Sequence, residues 1–253
     1  DAVRAARARF DGPELPLALP ENEEQVAELV QLAAREGWSL VPLGLGSKLG
    51  WCAPAARADL LLGTERLAGG VSYEPGDGTI LARAGTRMSD LRRVAEEGGH
   101  WVTPDVPRPS ERTLGGVLAA AESGPDRLRF GPSRHHVLGM RAVLADGSRT
   151  RSGGQLVKNV TGYDLHRLYA GSHGTRCVVV EAALRLFPAP EHELWIAHVP
   201  RAGEDPFALA RAALGTPARI TSLTLARVDP PTRGMEWLLA ARLGGRREPV
   251  EAE

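Results

Sequence analysis

Two glycine-rich turns, far apart in the chain, contain its two lysines: Pro42-Leu43-Gly44-Leu45-Gly46-Ser47-Lys48-Leu49-Gly50 and Gly153-Gly154-Gln155-Leu156-Val157-Lys158-Asn159-Val160-Thr161-Gly162-Tyr163-Asp164. Every other basic side chain, histidine aside, is arginine. Glycine lets a backbone come close to a ligand and aim several N–H groups at it. An ammonium beside such amides is suited to a phosphate. The chemistry to expect is therefore capture of a phosphate-bearing cofactor by several loops.

The first turn is a poor match to a dinucleotide fingerprint, which needs a helix to open at once with its N-terminus on the pyrophosphate. Here Trp51-Cys52-Ala53-Pro54 follows, and Pro54 disfavours helix at Ala53. No GxxxxGK[ST] pattern is present. Taken alone, such a turn is an ordinary loop. Similar features recur, however. Thr113-Leu114-Gly115-Gly116 stands at an expected helix start, where free N–H groups and a partial positive charge face outward. Ser123-Gly124-Pro125, Phe130-Gly131-Pro132 and Gly171-Ser172-His173-Gly174-Thr175 are further small-residue turns. Their distribution suits a long, extended ligand.

The elements that must position these turns read from periodicity and caps. Residues 22–36 form an amphipathic helix capped by Asn22 and ended by Gly37, with Val26, Leu29, Val30 and Ala33 on one face. Strands are expected at 38–43, near 60–62 and at 79–84, with a helix over 88–97. Thr113 caps a short helix over 117–121. Residues 137–144 and 148–151 make a hairpin through Asp146-Gly147, a type I′ turn. Asp164 caps one helical turn to Tyr169, and Val178, Val179 and Val180 open a strand running to Phe187. The Pro188-Ala189-Pro190 segment marks a domain boundary. Beyond it come a strand over 194–199, a helix with Asp205 as cap and Pro206 at its first position, and strands near 220–226 and 235–242.

The fold class is α+β, with one domain over residues 1–190 and a second, which reads as partial, over 191–253. At 253 residues the chain is long enough for a real core. Lys+Arg and Asp+Glu both total 31, which argues against a broad nucleic-acid or acidic-lipid surface. No apolar run approaches the roughly 20 residues that span a bilayer, and no secretory h-region is present, so a cytoplasmic location is expected. The two cysteines, Cys52 and Cys177, form neither a disulfide framework nor a metal-ligand spacing. No metal site is expected.

The order of these motifs resembles the FAD-binding domain of the vanillyl-alcohol-oxidase-like, or PCMH-type, flavoproteins, and within them the FAD-binding subunits of bacterial glycolate oxidases. The matching stretches are Gly44 to Trp51, Arg83 to Thr86, Thr113 to Leu118, Ser123 to Pro125, Gly139 to Gly147, Ser152 to Leu168 and Gly171 to Leu186. They cover most of residues 20–190, and the run Val157 to Leu165 is particular to the subunit.

The resemblance implies that Leu43, Gly44, Leu45, Gly46, Ser47 and Lys48 wrap the FAD pyrophosphate. It also implies that Thr113, Gly115 and Gly116 pass close to the pyrophosphate and the isoalloxazine edge, with Pro107 in the stretch before them. Ser123 and Gly124 would line the flavin, and the backbone of Val178 and Val179 would meet adenine. The chain departs from the family at Leu45, commonly a glycine, at His135, commonly an aspartate, and at Cys177, which replaces a glycine. No histidine occupies the first loop, so FAD is expected to bind non-covalently.

Catalytic residues are not identified. The implied reaction is oxidation of a small 2-hydroxy acid such as glycolate, with electrons passed to FAD. Its implied setting is a hetero-oligomer with a second flavin subunit and an iron–sulfur subunit. Two other readings stand beside it: an assembly subunit with a degenerate FAD site, and a nicotinamide-dependent flavin reductase. His135 and His136 are loop histidines or titrating groups near a flavin. Tyr163 and Tyr169 read as core or packing residues, and Trp51 as a flavin neighbour or a core anchor.

Overall fold

The computed structural model describes residues 15–51, 57–156, 162–229 and 236–246. Its chain divides into two compact units, one of residues 1–123 and 132–188, the other of residues 124–131 and 189–253.

The first unit opens with a small parallel sheet. Strand β1 (Leu17–Ala18) and β2 (Leu40–Leu43) both pair with the central β3 (Leu60–Gly63), and helix α1 (Glu23–Glu36) is the crossover between β1 and β2. Asn22 caps α1 by accepting from the Gln25 amide at 2.9 Å, and Gly37 ends it at φ 67. Val26, Ala27, Val30 and Ala33 are buried along one face, the spacing of an amphipathic helix. That face packs with Leu62, Leu67, Val143, Val178 and Val180.

A five-stranded antiparallel sheet follows: β4 (Ser72–Glu74), β5 (Thr79–Arg83), β7 (Val137–Leu144), β8 (Arg149–Gly153) and β9 (Cys177–Arg185), in the order β4-β5-β9-β7-β8. β9 is central, and Cys177 to Val180 are all buried, as expected of a strand covered on both faces. Helices α2 (Met88–Glu97) and α3 (Leu114–Ala119) share the larger core with it, through Met88, Leu91, Leu114, Val117 and Leu118. A short ladder of β6 (His100–Trp101) with β10 (Phe187–Pro188) closes the unit.

Three local expectations fail. The turn between β7 and β8 is not type I′, because of its two central residues only Gly147 has positive φ, at 80°. The Gly147 amide donates to Leu144 O at 2.9 Å and Leu144 N to Ser148 O at 2.9 Å, giving a three-residue loop with glycine in the left-handed position. Asp164 does not cap helix α5 (Leu165–Tyr169); its carboxylate turns to Arg167 at 3.2 Å. Tyr163 is 89% exposed rather than packed, while Tyr169 is buried.

Between β8 and α5, the buried Ser152 hydroxyl donates to Tyr163 O at 3.1 Å and lies 3.0 Å from His166 Nδ1. Burial lowers the His166 pKa below its ordinary 6.5, against the raising effect of Asp164. The unfolded chain therefore takes up this proton first as pH falls. Stability from His166 is intact above about pH 6.5 and drains away below it. A urea-unfolding series from pH 7.5 to 5 is expected to show that loss, and His166→Asn to flatten it. An equal slope in the variant would place the effect elsewhere.

The second unit is an antiparallel sheet, β11 (His192–His198), β12 (Ile220–Val228) and β13 (Glu236–Gly245), ordered β11-β13-β12, with helix α6 (Pro206–Leu214). Asp205 caps α6 by accepting from the Phe207 amide at 2.9 Å, and Pro206 takes the first turn. The excursion Gly124–Gly131, with the single helical turn α4 (Arg127–Phe130), belongs to this unit and packs on β12. Asp126, fully buried, is hydrogen-bonded by the Arg242 guanidinium. That guanidinium also reaches Thr221 Oγ1 at 3.2 Å and Glu193 at 3.6 Å, and lies 5.3 Å from the centre of the Trp195 ring.

Candidate functional site

A groove of about 690 Å³ runs across the first unit, lined by residues 40–50, by Arg112, Thr113, Gly116, Val117, Ala119 and Ala120, and by residues 172–175. Its size lies within the ~300–1,000 Å³ of small-molecule and cofactor sites.

The loop after β2 forms one wall. Its start is pinned by Thr64, whose amide donates to Leu43 O at 2.9 Å and whose hydroxyl donates to the same oxygen at 3.3 Å. Gly44 then passes so close to Thr113 that an added Cβ would lie 2.1 Å from Thr113 Oγ1. Gly46 takes φ 69, a left-handed conformation that glycine adopts without strain. Among the described residues, no protein acceptor takes the amides of Gly44, Leu45, Gly46, Ser47 or Lys48. They are free to meet an anion.

The opposite wall is the end of α3 and the loop after α5. His173 N donates to Ala119 O at 2.8 Å and Gly171 N to Leu118 O at 2.9 Å, which fixes this loop to the helix. His173 (φ 51) and Gly174 (φ 75) are both left-handed, and Gly174 sits against Pro42.

The start of α3 behaves differently from the expectation of a free positive helix end. Leu114 N donates to Thr86 O at 2.9 Å, Gly115 N to Ala84 O at 2.8 Å, and Gly116 N to the Thr113 hydroxyl at 3.3 Å. Its donors are spent on the protein, because the turn is stitched to the end of β5. Gly116 thus lines the groove without offering its amide to an anion, and the Thr113 hydroxyl beside it already accepts from that amide.

The lysine expected to meet a phosphate is also engaged. Lys48 Nζ lies 2.5 Å from Glu122 Oε1 and 4.1 Å from the centre of the Trp51 ring. The carboxylate is 3% exposed, and its Oε1 also receives the buried Arg112 at 3.4 Å. Two cations share this carboxylate, and Arg112 Nη1 also lies 3.9 Å from Glu111 Oε2.

The structure therefore gathers Leu43, Gly44, Leu45, Gly46, Ser47, Lys48, Thr113 and Gly116 into one lining. Other candidates stand outside it. Gly115 packs on Ala84, where a Cβ would come within 2.8 Å of the alanine Cβ. Pro107 is exposed ahead of the 3₁₀ turn Pro109–Glu111. Ser123 Oγ accepts from Ser133 N at 3.0 Å, and Gly124 belongs to the second unit. Val178 and Val179 are buried in the central strand. His136 is buried edge-on to Phe187, His135 is exposed, and Trp51 is 57% exposed under the lysine. Burial pushes the Cys177 thiol up to about 11, so it is inert at neutral pH. Lys158 and Cys52 lie outside the described residues. Sequence reasoning did not reach Arg112 and Glu122, which carry no motif; an acid among small residues after α3 was the one available signal.

Among the described residues, no cluster of three or more His, Cys, Asp or Glu could hold a metal ion, and no helix is long and apolar enough to cross a membrane.

A groove walled by a glycine turn with free amides, on this two-sheet α+β frame, defines a nucleotide-cofactor binding domain. The chain belongs to the FAD binding domain family, whose model matches residues 15–153, and FAD is the cofactor that this membership assigns. Among its relatives are the glycolate oxidase subunit GlcD of Bacillus subtilis, 31% identical over 172 residues (68% of this chain and 37% of the relative), and GlcE of Escherichia coli, 34% identical over 175 residues (69% and 49%). A D-2-hydroxyglutarate dehydrogenase of Xanthomonas citri is 34% identical over 176 residues, 70% of this chain and 37% of the relative. The matched region thus spans less than half of each of these relatives. The fold is also that of a solved alkyldihydroxyacetonephosphate synthase, with a TM-score of 0.74 at 20% identity over 93% of this chain and 48% of the other.

Proposed function

We propose that this chain is the FAD-binding part of a 2-hydroxy-acid oxidoreductase of the glycolate-oxidase kind. Leu43 to Lys48 hold the diphosphate of a non-covalently bound FAD. The observation that carries this reading is the run of amides from Gly44 to Lys48 that find no acceptor among the described residues, in a stretch that lines one groove with Thr113. A diphosphate supplies the acceptors those amides lack. The family membership and the activities after which its relatives are named support the same cofactor and the hydroxy-acid class.

Bound FAD would supply a two-electron acceptor, taking the hydrogen on C2 of the acid as a hydride equivalent while the hydroxyl proton leaves and a 2-oxo acid forms. The protein's share is grip and orientation. Glycines 44 and 46 allow the close approach, Thr113 keeps the loop and α3 in register, and the loop over 172–175 closes the far wall. Val178 and Val179 would present backbone to adenine, and Pro107, Gly115, Ser123 and Gly124 would act on the flavin side, as the family resemblance implies. The proposed setting is a cytoplasmic hetero-oligomer with a second flavin subunit and an iron–sulfur subunit.

The test is the visible spectrum of the purified protein after incubation with FAD, followed by anaerobic addition of glycolate, D-lactate or D-2-hydroxyglutarate together with the partner subunits. A flavin spectrum bleached by a hydroxy acid is expected. A colourless protein that FAD cannot reconstitute would leave the assembly-subunit reading, and bleaching by NADPH alone the reductase reading.

A further inference from the structure

We infer that Glu122 is the positioning residue of the amide-bearing loop. It tethers Lys48, at the loop's far end, to the C-terminus of α3, so that the Lys48 side chain serves the loop's shape and its ammonium does not bind the diphosphate. This inference rests on the proposed FAD reading of the groove.

Several costly features meet at this one point. Glu122 is 3% exposed, and its second carboxylate oxygen, Oε2, has no hydrogen-bond partner. Arg112, 5% exposed, turns its Nε to the oxygen that Lys48 already holds. The helix end that delivers Glu122 is itself strained. Ala121 takes φ 48, a left-handed conformation that a Cβ disfavours, while Glu122 N donates to Val117 O at 2.9 Å and Ala121 N to Leu118 O at 3.1 Å. A buried charge pair is weak evidence for stability, since apolar residues of the same volume usually serve a core as well or better. Strain and burial concentrated beside a groove are characteristic of positions that set a functional geometry.

The geometry shows what is set. Lys48 is held between the Glu122 carboxylate and the Trp51 ring. Its tether fixes the far end of the stretch whose near end is pinned by Thr64 at Leu43. Between those anchors lie the amides of Gly44 to Ser47. Of the three donors of the Lys48 ammonium one is taken by the carboxylate, and the Trp51 ring lies against the same group, so its charge is directed into the protein.

The two roles of Lys48 predict opposite signs. If Glu122 positions the loop, Glu122→Gln loosens the tether and weakens FAD binding by about ten-fold or more. If Lys48 is instead a phosphate ligand restrained by Glu122, the same change releases its charge and tightens binding. FAD affinity is read by titrating the apoprotein. Loop placement is read independently, without cofactor, from Trp51 emission taken as the difference from Trp51→Phe. The expected result is weaker FAD binding together with altered Trp51 emission in the apoprotein. Lys48→Met should produce the same loss, and the double variant no more than either single one.

Tighter or unchanged FAD binding in a folded Glu122→Gln protein overturns the inference, as does additive loss in the double variant. If Glu122→Gln fails to fold, Lys48→Met, which leaves Glu122 with Arg112, decides by Trp51 emission and affinity together. A wild-type protein that binds no FAD defeats the proposed function alone. The tether then stands or falls on whether Glu122→Gln changes Trp51 emission.

Discussion

Gly46→Val is expected to lower FAD affinity by roughly 100-fold or more while leaving the fold intact. Two effects add. The native φ of 69° is one that a β-branched residue adopts only under strain of ~1–3 kcal/mol, so the backbone is driven toward another conformation. That movement turns the neighbouring amides away from a shared anion, and each charge-assisted hydrogen bond lost is worth ~1.5–3 kcal/mol. Gly203→Val is the matched control: it carries the same kind of strain, at φ 91°, in the second unit and with open space around the added Cβ. Equilibrium titration of the apoproteins with FAD, alongside thermal unfolding, separates strain from binding. Near-native affinity in Gly46→Val would show that the loop does not touch the cofactor.

The second large effect is on stability. Arg242→Met should destabilise the second unit by about 3–5 kcal/mol, the cost of leaving a buried carboxylate without its cation. Asp126 is fully buried and reaches this unit through the excursion Gly124–Gly131, so the loss also frees that segment from β12. Urea unfolding followed by the emission of Trp195 and Trp237, both in this unit, reports it. Adding Asp126→Leu should recover much of the loss, because replacing both partners removes the uncompensated charge. A cost below about 1 kcal/mol for Arg242→Met would mean that solvent or another group compensates the Asp126 charge.

Local signals specified most of the elements. Asn22 and Gly37 bound α1, Asp205 and Pro206 start α6, and Thr113 caps α3, because caps and periodicity act within a few residues. The glycines of the first turn announced a close approach to a ligand; the approach seen at Gly44 is to Thr113, within the protein. Where a local reading failed, a competing partner had won. Asp164 found Arg167 in place of an amide, and Asp146, whose backbone is not left-handed, accepts from the Ser148 amide at 2.8 Å.

By itself, then, the sequence determined the α+β class, the bounds of α1 and α2, the start of α6 and the places of the glycine turns, all properties of short stretches of chain; α3, expected over 117–121, begins three residues earlier at Leu114. Tertiary structure alone decided which donors those turns still offer. The amides at the start of α3 are spent on Thr86 and Ala84, while those of Gly44 to Lys48 meet no acceptor among the described residues. It also decided that Lys48 meets Glu122, a residue 74 positions away, and that Asp126 meets Arg242. A hydrogen bond or ion pair is a matter of distance in space, and residues far apart in the chain acquire that distance only when the sheets and helices between them have packed.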